Sequence, residues 1–247
     1  MPFYFPYYMD VGLIFVLIAA VFAMIASASV NSTFKKYSQV ASRAGLTGAE
    51  SARRVLAANG VTGVTIERVS GDLTDHFDPK TNTIRLSESV YDANTVAAVG
   101  VAAHEAGHAV QYAVGYAPIK IRMAIIPVTN IGSKLAWPLV LIGLLLSAPT
   151  LAYIGIAAFS LSTIFQLITL PVEFNASSRA IQTMENTGMG EAEINGSKKV
   201  LRAAAMTYVA ALAVSLAYLF RLFLLVNRRN NRSCILRSAG FLQSREL

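Results

Sequence analysis

Polar and apolar positions divide the chain into long charge-free stretches around one polar block. No charged residue lies between Asp10 and Lys35, between Lys134 and Glu173, or between Arg202 and Arg221. A helix that crosses a bilayer needs roughly 20 mostly apolar residues. The first stretch, centred on 11–30, predicts one such helix. The residues before it are aromatic and carry no Lys or Arg, so the positive start of a secretory signal is missing. It reads as a retained anchor with Tyr4, Tyr7 and Tyr8 at the interface. The second stretch, 135–172, is too long for one crossing at about 1.5 Å per residue. Ser147-Ala148-Pro149-Thr150 interrupts it, and Pro149 would break a continuous helix. Two spans joined by a tight turn follow, with Trp137 and Tyr153 as interface residues. The third stretch predicts a last span over 203–226, with Arg221 snorkelling near its end.

The polar block predicts a small α+β unit. Thr47-Gly48-Ala49-Glu50 is a capping-box pattern. It opens a helix through Ala57 with Ala49, Ala52, Val55 and Leu56 facing inward, ended by Asn59-Gly60. Residues 64–68 alternate like a strand. Residues 73–77 and 83–86 flank the turn-rich Asp78-Pro79-Lys80-Thr81-Asn82 and predict a hairpin. A second helix is expected over 95–114, capped by Asp92 or Asn94.

Composition sharpens this picture. The chain has 247 residues, 54% hydrophobic and 14% charged, where ordinary soluble domains carry about 25% charged residues. A water-soluble globule and a disordered chain are both excluded. Lys plus Arg is 21 against 14 Asp plus Glu, a net charge of +7. Lys35, Lys36 and Arg43, then Lys120, Arg122 and Lys134, then Lys198, Lys199 and Arg202 all fall on one side of a four-span topology. That side is expected to be cytoplasmic; Arg228, Arg229 and Arg232 then fall opposite. The basic tail suits anionic headgroups and lacks the folded patch or stacking aromatics of a nucleic-acid binder. A single cysteine, Cys234, excludes an internal disulfide and a cysteine-rich zinc site. The spans hold no acidic or basic relay, which argues against a transporter or channel.

The expected organisation is an anchor at 1–30, a cytoplasmic unit at 31–134 and a transmembrane hairpin at 135–172. A cytoplasmic segment at 173–202, a span at 203–226 and a basic tail at 227–247 complete it. The fold class is a mainly α membrane protein of about four transmembrane helices with a small α+β, zincin-like unit.

Two of the three histidines stand in His104-Glu105-Ala106-Gly107-His108. Four apart on a helix, they share one face and reach one metal ion. Glu105 beside them is placed to take a proton from a water activated by that ion and return it to a leaving amine. This is the His-Glu-x-x-His pattern of zinc metalloproteases, and Val96, Val99, Ala103 and Val110 supply the helix with an apolar face. Gly107 costs helix propensity, so its place there is explained by close packing.

A catalytic zinc takes three protein ligands. No further histidine follows at the spacing of a longer signature, and His76, in Thr74-Asp75-His76-Phe77-Asp78, fits a structural strand position better than a ligand. Glu173 is the better candidate, because it stands where the chain leaves the hairpin on the side of the His104 helix. A carboxylate beside a span is costly unless paired or metal-bound. The competing view is an exposed charge that marks the end of the span.

These segments resemble the neutral zinc metallopeptidases of the YugP type, integral membrane proteins of bacteria. The carriers are Leu73-Thr74-Asp75-His76-Phe77-Asp78-Pro79, Ile84-Arg85-Leu86-Ser87, the stretch from Gly100 to Gln111 around the histidines, and the stretch from Leu170 to Ala180 around Glu173. The likeness runs from about Met1 to Arg229, and the segment after Asn231 departs from it. It implies a zinc endopeptidase with His104 and His108 as ligands and Glu105 as base. A fainter likeness is to membrane-bound heat-shock metalloproteases, whose Glu-x-x-Ala-Asp pattern aligns with Glu173 to Ser177. Serine replaces the aspartate there, which makes Asn175 the candidate to orient His104. Metalloproteases of this kind also share an edge strand, for which 83–86 is the candidate; an internal hairpin strand is the equal alternative. Arg179 fits lipid phosphate better than an oxyanion.

The expected function is therefore a membrane-anchored zinc endopeptidase. It holds one zinc ion in a multi-pass protein of the cell membrane, with the site facing the cytoplasm and protein or peptide substrates. The alternative is a non-catalytic metal-binding membrane scaffold, which gives Glu105 no task.

Overall fold

The computed structural model describes residues 11–243, with side chains through Arg228. Tyr4, Tyr7 and Tyr8 lie outside the described residues, as do the side chains after Arg228, Cys234 among them. The order is α1 (Val11–Tyr37), α2 (Gly48–Ala58), β1 (Thr65–Val69), β2 (His76–Asp78), β3 (Thr83–Ser87), α3 (Glu88–Tyr91), α4 (Val96–Ala113), α5 (Ala117–Leu145), α6 (Pro149–Asn186) and α7 (Glu191–Gln243). The described residues are mainly helical with one three-stranded sheet. Among the described residues, four helices are long and apolar enough to cross a membrane: α1, α5, α6 and the part of α7 through Arg228. They outrun the charge-free stretches, since α5 starts at Ala117 and α6 continues to Asn186.

The expected break between the middle spans is present. Ser147 takes φ +53 between α5 and α6, and Pro149 opens α6, where its missing N–H costs nothing. Residues divide into two compact units. One comprises Ile125–Gln166 with Met1–Ala23 and Ala210–Leu247. Lacking a hydrophobic drive in lipid, its helices associate through small residues and hydroxyls. A Cβ on Gly155 would stand 2.8 Å from the Val140 nitrogen, so α5 and α6 touch backbone to backbone. Ser133 bonds Ser162 at 2.6 Å and Thr163 bonds Ser215 at 2.7 Å.

The other unit comprises Met24–Ala124 and Leu167–Val209 and carries the sheet. The capping box at Thr47 is complete, with Glu50 Oε2 accepting from the Thr47 nitrogen at 2.8 Å. Such a cap contributes about 1 kcal/mol. Asn59 and Gly60, at φ +66, end the helix. Ala49, Ala52, Val55 and Leu56 are buried with Val99, Ala102, Ala103 and Ala106 of α4 in one core, and Ser51 Oγ donates to the Val99 carbonyl at 3.0 Å.

Two expectations are corrected, and one element is new. The α4 cap is Thr95, whose side chain accepts from Ala98 N. Asp92 instead pairs with Arg68 at 2.9 Å, and the Asn94 carbonyl accepts from Ser42 N. The short helix α3 was not foreseen. The 83–86 strand is not an edge: the order is β1-β3-β2, with β1 parallel and β2 antiparallel to β3. A buried run such as Ile84 and Leu86 belongs between neighbours, which leaves β2 as an edge. Glu185 lies in the last turn of α6, and Glu191 and Glu193 in the first turn of α7.

Candidate metal centre

Two helices build the site. On α4 the four-residue spacing stacks His104 and His108, whose rings stand 4.6 Å apart between centroids and 81° to one another. On α6, Glu173 meets them. Its Oε2 lies 3.2 Å from His104 Nε2 and 3.6 Å from His108 Nε2. Among the described residues, His104, His108 and Glu173 form the group whose ligand atoms all lie within 4.8 Å of one another. Glu173 is only 2% exposed, so it is not a charge that merely marks the end of a span.

Close approach of α4 to α6 makes this possible. A Cβ on Gly107 would stand 2.6 Å from the Ala176 carbonyl oxygen, inside any tolerable contact. The glycine that weakens the helix lets the imidazoles on either side reach the neighbouring carboxylate.

The outer ring nitrogens are held as well. His104 Nδ1 is 3.1 Å from Ser177 Oγ. Gln111, fully buried, donates from Nε2 to the Val172 carbonyl at 2.8 Å and to Asn175 Oδ1 at 3.0 Å. Both partners only accept at those atoms, which turns the Gln111 Oε1 toward His108 Nδ1, 3.0 Å away. An amide oxygen can only accept, so Nδ1 carries the hydrogen and Nε2 keeps its lone pair for a metal. Arg179 Nε donates to Asn175 Oδ1 at 2.8 Å and anchors the same network. Asn175 therefore acts on the His108 side through Gln111; Ser177 itself orients His104, since a hydroxyl one residue after Ala176 reaches that ring. Arg179 serves this network.

Glu173 divides its two oxygens. Oε2 faces the imidazoles, while Oε1 takes Arg122 Nη1 at 3.3 Å. Tyr208 lines the same cavity as Glu173. Burial works against a charged His108, yet Glu173 and then Glu105 outweigh it and hold that imidazole above its ordinary pKa. Two imidazole nitrogens and one carboxylate oxygen, with both outer ring nitrogens engaged, fit the donor set of a catalytic zinc.

Glu105 is 8% exposed. With His104, Glu173, Ser177, Tyr208 and Asp75 it lines a cavity of about 200 Å³. Burial pushes the Asp75 carboxyl up against the bonds it accepts from Ser87 N and Oγ. His76 is exposed in β2, bonded through Nδ1 to the Thr74 carbonyl at 2.8 Å. It stands outside the donor group, as expected of a structural histidine. Glu185 pairs with Lys198 at 2.7 Å, and the buried Glu193 accepts from Ser42 Oγ and Ala44 N.

Gln111, Arg122 and Tyr208 were not foreseen as site residues. Gln111 stands one helical turn after His108, a spacing that places it on the same face. Arg122 was read only as a topology signal. Tyr208 carried the signal of a hydroxyl within an apolar span.

Residues 12–227 match the sequence profile of a family described as "Putative neutral zinc metallopeptidase". A Bacillus subtilis (strain 168) protein, "Putative membrane protease YugP", is 50% identical over 210 residues, which cover 84% of this chain and 93% of the relative. No solved structure matches the chain.

Proposed function

The chain belongs to this family of neutral zinc metallopeptidases, and on that premise we propose that it is a membrane-anchored zinc endopeptidase. In this reading His104, His108 and Glu173 hold one zinc ion and Glu105 is the general base. The observation that carries it is the meeting of three ligand atoms within 4.8 Å of one another, in a cavity that Glu105 also lines. A bound zinc ion would supply Lewis acidity that brings a water toward ionisation near neutral pH. Glu105, buried and beside the donors, takes that proton and returns it to the leaving amine. Gln111 holds His108 in the tautomer that ligation requires, and Ser177 steadies the His104 ring. Arg122 occupies one Glu173 oxygen and keeps the other directed at the imidazoles.

A peptide needs a partner with free backbone groups. In this fold that is the edge of β2, whose approach residues Leu73 and Asp75 line the donor cavity. Substrates are protein or peptide segments, membrane proteins included. The scaffold reading leaves a buried Glu105 without a task, so the enzyme is favoured. The protein purified in detergent should cleave casein, stop with a zinc chelator and resume when zinc is restored. Cleavage that persists in chelator would refute the metal-dependent reading.

The site is assigned to the cytoplasmic side, with Lys35 to Arg122 and Glu173 to Arg202 sharing that face. The support is the three Lys/Arg clusters beside the ends of the spans. Cysteines placed at Ser70 and Asn186, with Cys234 replaced, should both resist an impermeant reagent in intact cells. Labelling of either one would overturn this orientation.

A further inference from the structure

A second polar cavity, of about 350 Å³, lies in the sheet-bearing unit, between the end of the charge-free part of α1 and the start of that of α7. Lys36, Lys199 and Arg202 line it, together with Ser29, Thr33 and Tyr37, and no acidic residue does. The adjacent Lys198 is committed elsewhere, to Glu185 at 2.7 Å. Lys36 Nζ stands 5.8 Å from the centroid of the Tyr37 ring, a contact that steadies the ammonium without neutralising it. The cavity thus gathers three cations and three hydroxyl side chains around one space.

Such a set fits a phosphate. A guanidinium offers a planar fork to two phosphate oxygens, while lysines act as compact point charges. A zwitterionic headgroup would bring its own ammonium among three cations with no carboxylate to receive it. The position of the cavity selects the source. Toward its N-terminus α1 presents Met24 and Ile25, 63% and 62% exposed, on a helix long enough to cross a membrane. Ala203 and Met206 line the cavity on the α7 side, at the start of the other apolar stretch. Charged walls at the level of the span ends, continuous with bare apolar helix surface, match a phosphate that carries acyl chains. A soluble phosphate would make no use of that surface.

We propose that this cavity binds the headgroup phosphate of an anionic phospholipid, held by Lys36, Lys199 and Arg202, with its acyl chains along α1. The assignment is independent of the zinc chemistry.

The test uses the full chain in nanodiscs of equal parts phosphatidylglycerol and phosphatidylcholine, released for native mass spectrometry that counts retained lipid. The wild type should keep phosphatidylglycerol selectively. At about fivefold per cation near a surface, Lys36→Gln, Lys199→Gln and Arg202→Gln combined should lower that preference on the order of a hundredfold. A control with the same net charge, Arg43→Gln, Arg53→Gln and Lys80→Gln, should leave it unchanged. If the triple variant does not purify, the exposed Lys36→Gln and Lys199→Gln carry the test singly, each with about a fivefold loss. Equal retention of the two lipids by the wild type, an undiminished preference in the cavity variants, or an equal loss in the control would overturn the proposal. Inorganic phosphate added alone separates the sources. If it displaces the retained phosphatidylglycerol as readily as a short-chain phosphatidylglycerol does, the site is one for soluble phosphate and the lipid assignment falls.

Discussion

Exchange of Glu105 for glutamine should remove casein cleavage while zinc stays bound. Glutamine keeps the size and a hydrogen-bonding oxygen but cannot accept the proton that the reaction releases. Glu105 lines the donor cavity without being one of the three residues whose ligand atoms cluster. Its contribution is therefore proton transfer, and the loss of a general base costs roughly 10²–10⁴-fold in rate. Two measurements decide it together: the cleavage rate in detergent and the zinc content after dialysis. A variant that purifies without metal would make Glu105 a ligand. A variant with the wild-type rate would remove it from the mechanism.

Glu173→Ala should lose both activity and tightly bound zinc. Glu173 Oε2 is the oxygen that approaches both imidazoles, at 3.2 and 3.6 Å. Without it two nitrogens remain, one protein ligand short of a catalytic zinc site, and Arg122 keeps its charge beside them with no carboxylate between. The loss should be graded elsewhere in the network. Gln111→Leu removes the acceptor that orients His108 together with the two bonds Gln111 donates to Val172 and Asn175, but no ligand, so zinc affinity should fall about 10–100-fold, with activity regained at higher zinc. Glu185→Ala should change neither, since Glu185 meets Lys198 in a half-exposed pair. Full zinc occupancy of Glu173→Ala after dialysis would show that another group completes the site, and Asp75, which lines the same cavity, would be examined next.

Much of this was legible because it is local. The Thr47 capping box, the stop at Asn59-Gly60 and the turn at Ser147 each depend on a few adjacent residues, and all are found where their chemistry puts them. The one-face spacing of His104 and His108 follows from the helical repeat alone. The close packing explained by Gly107 is realised against Ala176. Glu173 was identifiable because a carboxylate at the end of an apolar stretch requires a partner, and few positions offered one.

What escaped the sequence depends on which segments meet. Both Asp92 and Asn94 are good capping residues, and the choice of Thr95 was made by the packing that gives Asp92 to Arg68 and the Asn94 carbonyl to Ser42. A strand's own residues state that it is buried, but not which neighbours cover its edges; β3 became central only when β1 crossed over to lie parallel to it. Ser177 and Asn175 are two residues apart on α6, and nothing local decides which faces His104. The rotation of α6 against α4, set by the Gly107 contact, gave Ser177 to His104 and Asn175 to Gln111. Sequence alone determined the long apolar helices, the Thr47 cap and the residue types able to hold a metal, because helical periodicity, hydropathy and turn chemistry act over a few residues. Only the tertiary structure decided how those residues are oriented and neutralised, because hydrogen bonds and ion pairs such as Arg122 with Glu173 form between segments that no local rule brings together.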